Sequence, residues 1–80
     1  MLKVLYFAGL REAIGCGAEN LEMPSGVTTV AELRAVLGVR HPVLLSAKNL
    51  RMAVNQNMCG MEAPVADGDE VAFFPPVTGG

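Results

Sequence analysis

The sequence predicts a single α+β domain, a roll in which one sheet grasps one amphipathic helix. Three observations carry that reading. The chain has 80 residues, 51% of them hydrophobic and 18% charged, enough for one core and too few for a second domain. Thr29 and Glu32 make a capping-box pair at the head of the apolar positions Val30, Leu33, Val36 and Leu37, whose spacing is helical. Apolar, β-branched and aromatic runs lie on both sides of that helix in the chain. A sheet folded around the helix is the smallest arrangement that buries it with this order. A chain of this length buries only roughly 60–65% of the surface its unfolded form exposes, so its core has little to spare.

The elements follow in order. Residues 2–8 (Leu-Lys-Val-Leu-Tyr-Phe-Ala) favour a strand. Gly15 and Gly17 mark a loop, and residues 19–23 read as a second strand closed by Pro24-Ser25-Gly26. The two strands then form a hairpin with a long connection. The helix opens at Thr29, and Gly38 is a suitable stop. Residues 42–48 read as a short helical turn after Pro42. Residues 50–55 form a third strand and 57–61 a weak fourth. Asp67-Gly68-Asp69 is a turn, Glu70 to Phe74 the last strand, and Pro75-Pro76 its end, because proline cannot donate to a ladder. The predicted order is β-β-α-β-β-β, with a domain over residues 1–74 and an extended tail over 75–80.

Side chains alternate across a strand. With Val4, Tyr6, Val71 and Phe73 turned to the helix, Leu5, Phe7, Ala72 and Phe74 face the other way. A sheet covered on one side should be polar on the other, so apolar groups there point to a partner-binding patch. Phe7 and Phe74 become neighbours if the terminal strands pair.

Composition excludes other classes. Six basic against eight acidic side chains give a net charge of −2, which argues against a nucleic-acid partner. No apolar run reaches the ~20 residues of a membrane span. The start, Met1 to Phe7, has neither a basic n-region nor a long apolar h-region, so it does not read as a signal peptide. The expected setting is cytoplasmic. Cys16 and Cys59 lie outside any C-x-x-C pair and should stay reduced there. The lone histidine, His41, cannot complete a zinc site and reads as a surface loop residue. Asp67, Asp69 and Glu70 read as a turn rather than a metal site, so no metal is expected.

The chain finishes Pro75-Pro76-Val77-Thr78-Gly79-Gly80. The prolines favour an extended form of ~3.1 Å per residue, a reach of roughly 19 Å. Gly79 and Gly80 have no Cβ, so their backbone can enter a narrow channel. A carboxylate at the tip of a thin arm suits the active site of another enzyme.

The run from Asp67 through Glu70-Val71-Ala72-Phe73-Phe74-Pro75-Pro76 to Gly80 resembles the small, sulfur-carrier subunit of molybdopterin synthase. So do Lys3-Val4-Leu5-Tyr6-Phe7-Ala8, Arg11-Glu12, Thr29-Val30 and Ala53-Val54-Asn55-Gln56. The likeness spans nearly the whole chain and is weakest over residues 38–50. It implies the ubiquitin-like β-grasp fold, a mixed sheet wrapped around one main helix. It further implies that an activating enzyme uses ATP to adenylate the Gly80 carboxylate, and that a persulfide sulfur donor converts it to a thiocarboxylate. The tail (Pro75, Pro76, Val77, Thr78, Gly79) would then enter the large catalytic subunit, in an expected heterotetramer. There the sulfur passes to cyclic pyranopterin monophosphate to build the molybdopterin dithiolene. The chain itself would bind no cofactor, and the sequence shows no nucleophile–base pair of its own. The resemblance also places Met58 on the partner-facing side with Phe7 and Phe74. Met52 and Met61 are flexible apolar side chains that fill cores or adapt to partners.

Three other roles fit the same fold: a thiamine-type sulfur carrier, a ubiquitin-like protein modifier joined through Gly80, and an inert interaction module. The run Phe73-Phe74-Pro75-Pro76 sets the chain apart from the first. The second begins with the same adenylation.

Overall fold

A computed structural model describes residues 1–76. In chain order they form β1 (Leu2–Tyr6), α1 (Ala8–Ile14), β2 (Ala18–Leu21), α2 (Val30–Arg40), α3 (Val43–Ser46), β3 (Arg51–Val54), β4 (Asn57–Cys59) and β5 (Glu70–Phe74). The strands make one mixed sheet in the order β2-β1-β5-β3-β4. β1 and β5 pair in parallel at its centre, with Val4 opposite Val71 and Tyr6 opposite Phe73. The other three pairings are antiparallel.

The strand phases are as the alternation predicts. Val4, Tyr6, Val71 and Phe73 are at most 1% exposed and pack with Val30, Leu33, Leu37 and Leu44 of the helices. Tyr6 and Phe73 stack with ring centroids 6.4 Å apart. The capping box at Thr29 is present. The Thr29 hydroxyl accepts from the Glu32 amide, and the Glu32 carboxylate accepts from the Thr29 amide. Two further free donors at the start of α2, the Val30 and Ala31 amides, bond to the carbonyls of Ala63 and Met61. The loop after β4 thus holds the helix in place.

Five expectations are corrected. Residues 8–14 are a helix, α1, where a plain connection was expected, so the order is β-α-β-α-α-β-β-β. Ala8 leaves the first strand with φ +52°, and α1 has no side-chain N-cap to announce it. Second, α2 runs through Gly38 to Arg40. Gly38 is buried and lies against Leu45 of α3, where a Cβ would come within 2.8 Å of a Leu45 methyl. The glycine is there for close approach rather than as a stop. Third, Val36 points to solvent at 43% exposure, leaving Val30, Leu33 and Leu37 as the buried stripe. Fourth, the β4 strand ends at Cys59, because Gly60 to Glu62 turn away to reach the head of α2. Fifth, His41 is no surface loop residue. It is the C-cap of α2 and its side chain is mostly buried.

Asp67-Gly68-Asp69 is the predicted turn, with Gly68 at φ +95°. Asp69 accepts from the Ala66 amide and from the Asn55 side chain. Asp67 takes the Met1 ammonium at 2.6 Å. The β3–β4 hairpin closes on Asn55 and Gln56, both at positive φ, the two-residue turn that matches strand twist.

Candidate functional site

The sheet face turned away from the helices carries two apolar rows, and strand register fixes both. In the first, Leu5 of β1 lies beside Ala72 of β5, Ala72 beside Ala53 of β3, and Ala53 beside Met58 of β4. In the second, Phe74 lies beside Arg51, with Phe7 on its other flank at the end of β1. Phe7 and Phe74 meet edge to face with centroids 6.3 Å apart, a favoured aromatic geometry. The Phe7 amide donates to the Phe73 carbonyl at 3.2 Å, which locks the two strand ends together.

Phe7 is 47% and Met58 58% exposed, while Phe74 is partly covered by its neighbours. Met58 stands two strands from Phe74, roughly 10 Å away. The three predicted patch residues are therefore on one face, and Leu5, Ala72 and Ala53 form the floor between Phe7 and Met58. The sequence reading did not single out Ala53, although period-2 alternation through Arg51-Met52-Ala53 contains that signal. Ala53 is buried yet lies outside the core cluster, because it is covered on the outer side of the sheet.

The tail leaves from the same edge. Pro75 and Pro76 follow Phe74 directly, are irregular and partly exposed. Val77, Thr78, Gly79 and Gly80 lie outside the described residues, so the expectations for them rest on the sequence.

On the opposite side, Glu19 gathers three partners. The Tyr6 hydroxyl donates to its Oε1 at 2.6 Å, the His41 ring nitrogen Nε2 lies 3.2 Å from the same oxygen, and Arg40 reaches Oε2 at 3.2 Å. His41 also stands edge-on to the Tyr6 ring, centroids 5.7 Å apart. Burial, then the hydrogen bond and charge of Glu19, push the Tyr6 phenol far up, so it stays a donor. Burial acts to raise the Glu19 carboxyl, but the bonds from Tyr6 and His41 and the Arg40 charge outweigh it. Its pKa ends below the usual carboxylate range. This cluster ties β1 and β2 to the end of α2 and touches neither the patch nor the tail.

Cys16 and Cys59 are both free and partly buried. Burial pushes the Cys59 thiol up, which disfavours the thiolate that a persulfide carrier needs. Among the described residues no group of three or more His, Cys, Asp and Glu side chains is placed to hold a metal ion. No helix of these residues is long and apolar enough to cross a membrane.

Comparison with known proteins agrees with the geometry. The ThiS family model matches residues 4–80. The chain is 46% identical over 83 aligned positions to the molybdopterin synthase sulfur carrier subunit of Escherichia coli, and the match covers 100% of both chains. Among solved structures it resembles a putative molybdopterin converting factor subunit 1 from Pyrococcus furiosus, with TM-score 0.80, 30% identity, and 95% and 97% of the two chains covered. It also resembles the small archaeal modifier protein 1 of Haloferax volcanii, with TM-score 0.79, 27% identity, and 95% and 97% covered.

Proposed function

The chain belongs to the ThiS family, and within it to the molybdopterin synthase sulfur carrier subunits of ubiquitin-like β-grasp fold, and from that premise we propose that Gly80 is the sulfur-bearing residue. A bare carboxylate does not react with a sulfur nucleophile. An activating enzyme joins the Gly80 carboxylate to the α-phosphate of ATP, releasing pyrophosphate. The terminal sulfur of a donor persulfide displaces AMP. A second thiol then releases the donor as a disulfide, leaving the C-terminal thiocarboxylate. The large catalytic subunit takes up the tail and passes the sulfur to cyclic pyranopterin monophosphate, and Gly80 returns as a carboxylate. A cytoplasmic setting would supply the ATP that this chemistry draws on.

The observation that supports this most is the position of the tail. Its first residues follow directly from the central strand β5, at the edge where the exposed Phe7 and the partly covered Phe74 form an aromatic pair. A partner that packs on this pair is placed to receive the six residues that follow Phe74. Pro75, Pro76, Val77, Thr78 and Gly79 act as the arm, and Phe7, Met58 and Phe74 as the dock. Acid–base groups and the pterin pocket belong to the partner in this reading.

Incubation with ATP, the activating enzyme and a sulfur source tests it. Intact mass spectrometry should show the exchange of one oxygen for sulfur, and a residue added after Gly80 should abolish both that exchange and molybdopterin formation. An extended chain that stays untrimmed and still makes molybdopterin would refute the reading. A second reading, conjugation to other proteins, is favoured by the likeness to the small archaeal modifier protein. In the same assay it would appear as adducts joined through Gly80 on other proteins.

A further inference from the structure

The six cations of the chain separate by what they touch. Arg40 is bonded to Glu19. Arg34 uses its guanidinium on the carbonyls of Leu44 and Ala47, at 2.6 and 3.3 Å. Arg11 lies against Gly17, where a Cβ would come within 3.1 Å of its Nε. Lys48 sits in the turn between α3 and β3. On the outer face of the sheet, Lys3 has Glu70 directly beside it.

Arg51 differs from Arg34 and Arg40 in lacking such a partner, and from Lys3, Arg11 and Lys48 in its place beside Phe74. Its register partner is Phe74, it is exposed, and among the described residues its guanidinium has neither a hydrogen bond nor an ion pair. The sequence holds no acidic residue between Glu32 and Glu62. The surface beside it is hollowed into a shallow recess lined by Asn49, Leu50, Arg51, Met52, Met58 and Cys59. The recess thus joins a cation, an amide and an apolar wall, and Arg51 is the lining residue that lies beside Phe74. Arginine and aromatic residues together are what interface centres concentrate. The guanidinium fork matches a carboxylate through two parallel hydrogen bonds.

We propose that Arg51, with Asn49 beside it, receives an aspartate or glutamate side chain of the large synthase subunit when Phe7 and Phe74 pack against that subunit. The inference rests on the reading of this face as the dock for the large subunit. Phe7 and Phe74 supply apolar contact that tolerates sliding. A bidentate ion pair at one end of the patch removes that freedom and sets the direction in which the tail departs.

Calorimetric titration of the purified large subunit, at low and high salt, tests the proposal with wild-type, Arg51→Gln, Arg51→Lys and Arg51→Glu chains. Arg51→Gln should weaken the complex about tenfold and Arg51→Glu about a hundredfold at low salt, with Arg51→Lys restoring only part of the loss. Wild-type affinity should fall with salt more steeply than that of Arg51→Gln. Melting temperatures should not move, since the side chain is exposed. If Arg51→Gln and Arg51→Glu bind like wild type while Phe74→Ala binds weakly, the role of Arg51 is wrong and the dock stands. If all three bind like wild type, the dock itself is wrong and the proposal falls with it. Should Arg51→Gln fold poorly, Arg51→Lys decides. Wild-type affinity in that variant overturns the bidentate pair.

Discussion

Tyr6 and Glu19 meet across the β1–β2 hairpin through a 2.6 Å hydrogen bond from a phenol that is 1% exposed. The ring of Tyr6 is part of the core against Phe73, while its hydroxyl reaches the rim where Arg40 and His41 converge on the same carboxylate. Replacing Tyr6 with Phe keeps the ring and removes the donor. The variant should lose about 1.5–3 kcal/mol of stability in urea unfolding, the value of a hydrogen bond to a charged acceptor. Stability equal to wild type would show that Arg40 and His41 satisfy Glu19 by themselves.

The same carboxylate gives a pH dependence with a definite sign. The Glu19 pKa is lower in the folded chain than its ordinary value of 4.5. The stability it contributes is therefore complete above about pH 4.5 and is lost as the pH falls through the folded value. Glu32 and Asp67 are also held below the carboxylate range, by hydrogen bonds from Thr28 and from the Met1 ammonium, and they act in the same direction. Glu19→Gln should make the acid loss of stability shallower without abolishing it. An acid limb with wild-type slope would remove Glu19 from the account.

Phe73 and Phe74 are adjacent in sequence and opposite in role. Phe73 is fully buried, so Phe73→Ala should destabilise the fold by about 3–5 kcal/mol. Phe74 packs on Phe7 outside the core. Phe74→Ala should melt close to wild type and weaken the complex with the large subunit by about 2 kcal/mol, some thirtyfold. Thermal melts paired with calorimetric titration check both, and an early-melting Phe74→Ala beside a normal Phe73→Ala would invert the assignment.

Gly38 and Leu45 should show coupling. Alanine is about 1 kcal/mol better than glycine inside a helix, but a Cβ at Gly38 collides with the Leu45 side chain. Gly38→Ala alone should be close to neutral, because the helical gain is offset as Leu45 is pushed off α2. In a Leu45→Ala background the same change should stabilise by about 1 kcal/mol. Denaturant midpoints of the four chains close the cycle, and equal effects in both backgrounds would refute the contact.

The sheet was legible in the sequence because its signals are local. Alternation in residues 2–7 and 70–74 places each side chain on its face, and the Thr29–Glu32 pair marks the start of α2 within the residues that form it. The missed features depend on contacts distant in sequence or on ordinary residues without markers. α1 begins at Ala8 after Phe7, an N-cap with no capping side chain, and carries only Leu10 as a buried residue, so nothing in its pattern separates it from a loop. Gly38 obeys propensity as a stop until Leu45 arrives from the next helix. His41 looks like a loop residue until Glu19 is brought to it across the β1–β2 hairpin. For the candidate site, Phe7 and Phe74 were legible from strand phase, whereas the significance of Arg51 depends on the register that sets it beside Phe74.

The strand that carries the tail is also the strand that completes the sheet. β5 lies between β1 and β3, so without it the sheet divides into two separate hairpins. During translation β1 waits for its second partner, made 67 residues later (Lys3 against Glu70), and the core cannot close while β5 is still inside the ribosome. A copy that has not folded therefore has no assembled Phe7–Phe74 surface beside its last residues. Partners that test that surface before accepting the tail would be supplied only with finished, folded carriers.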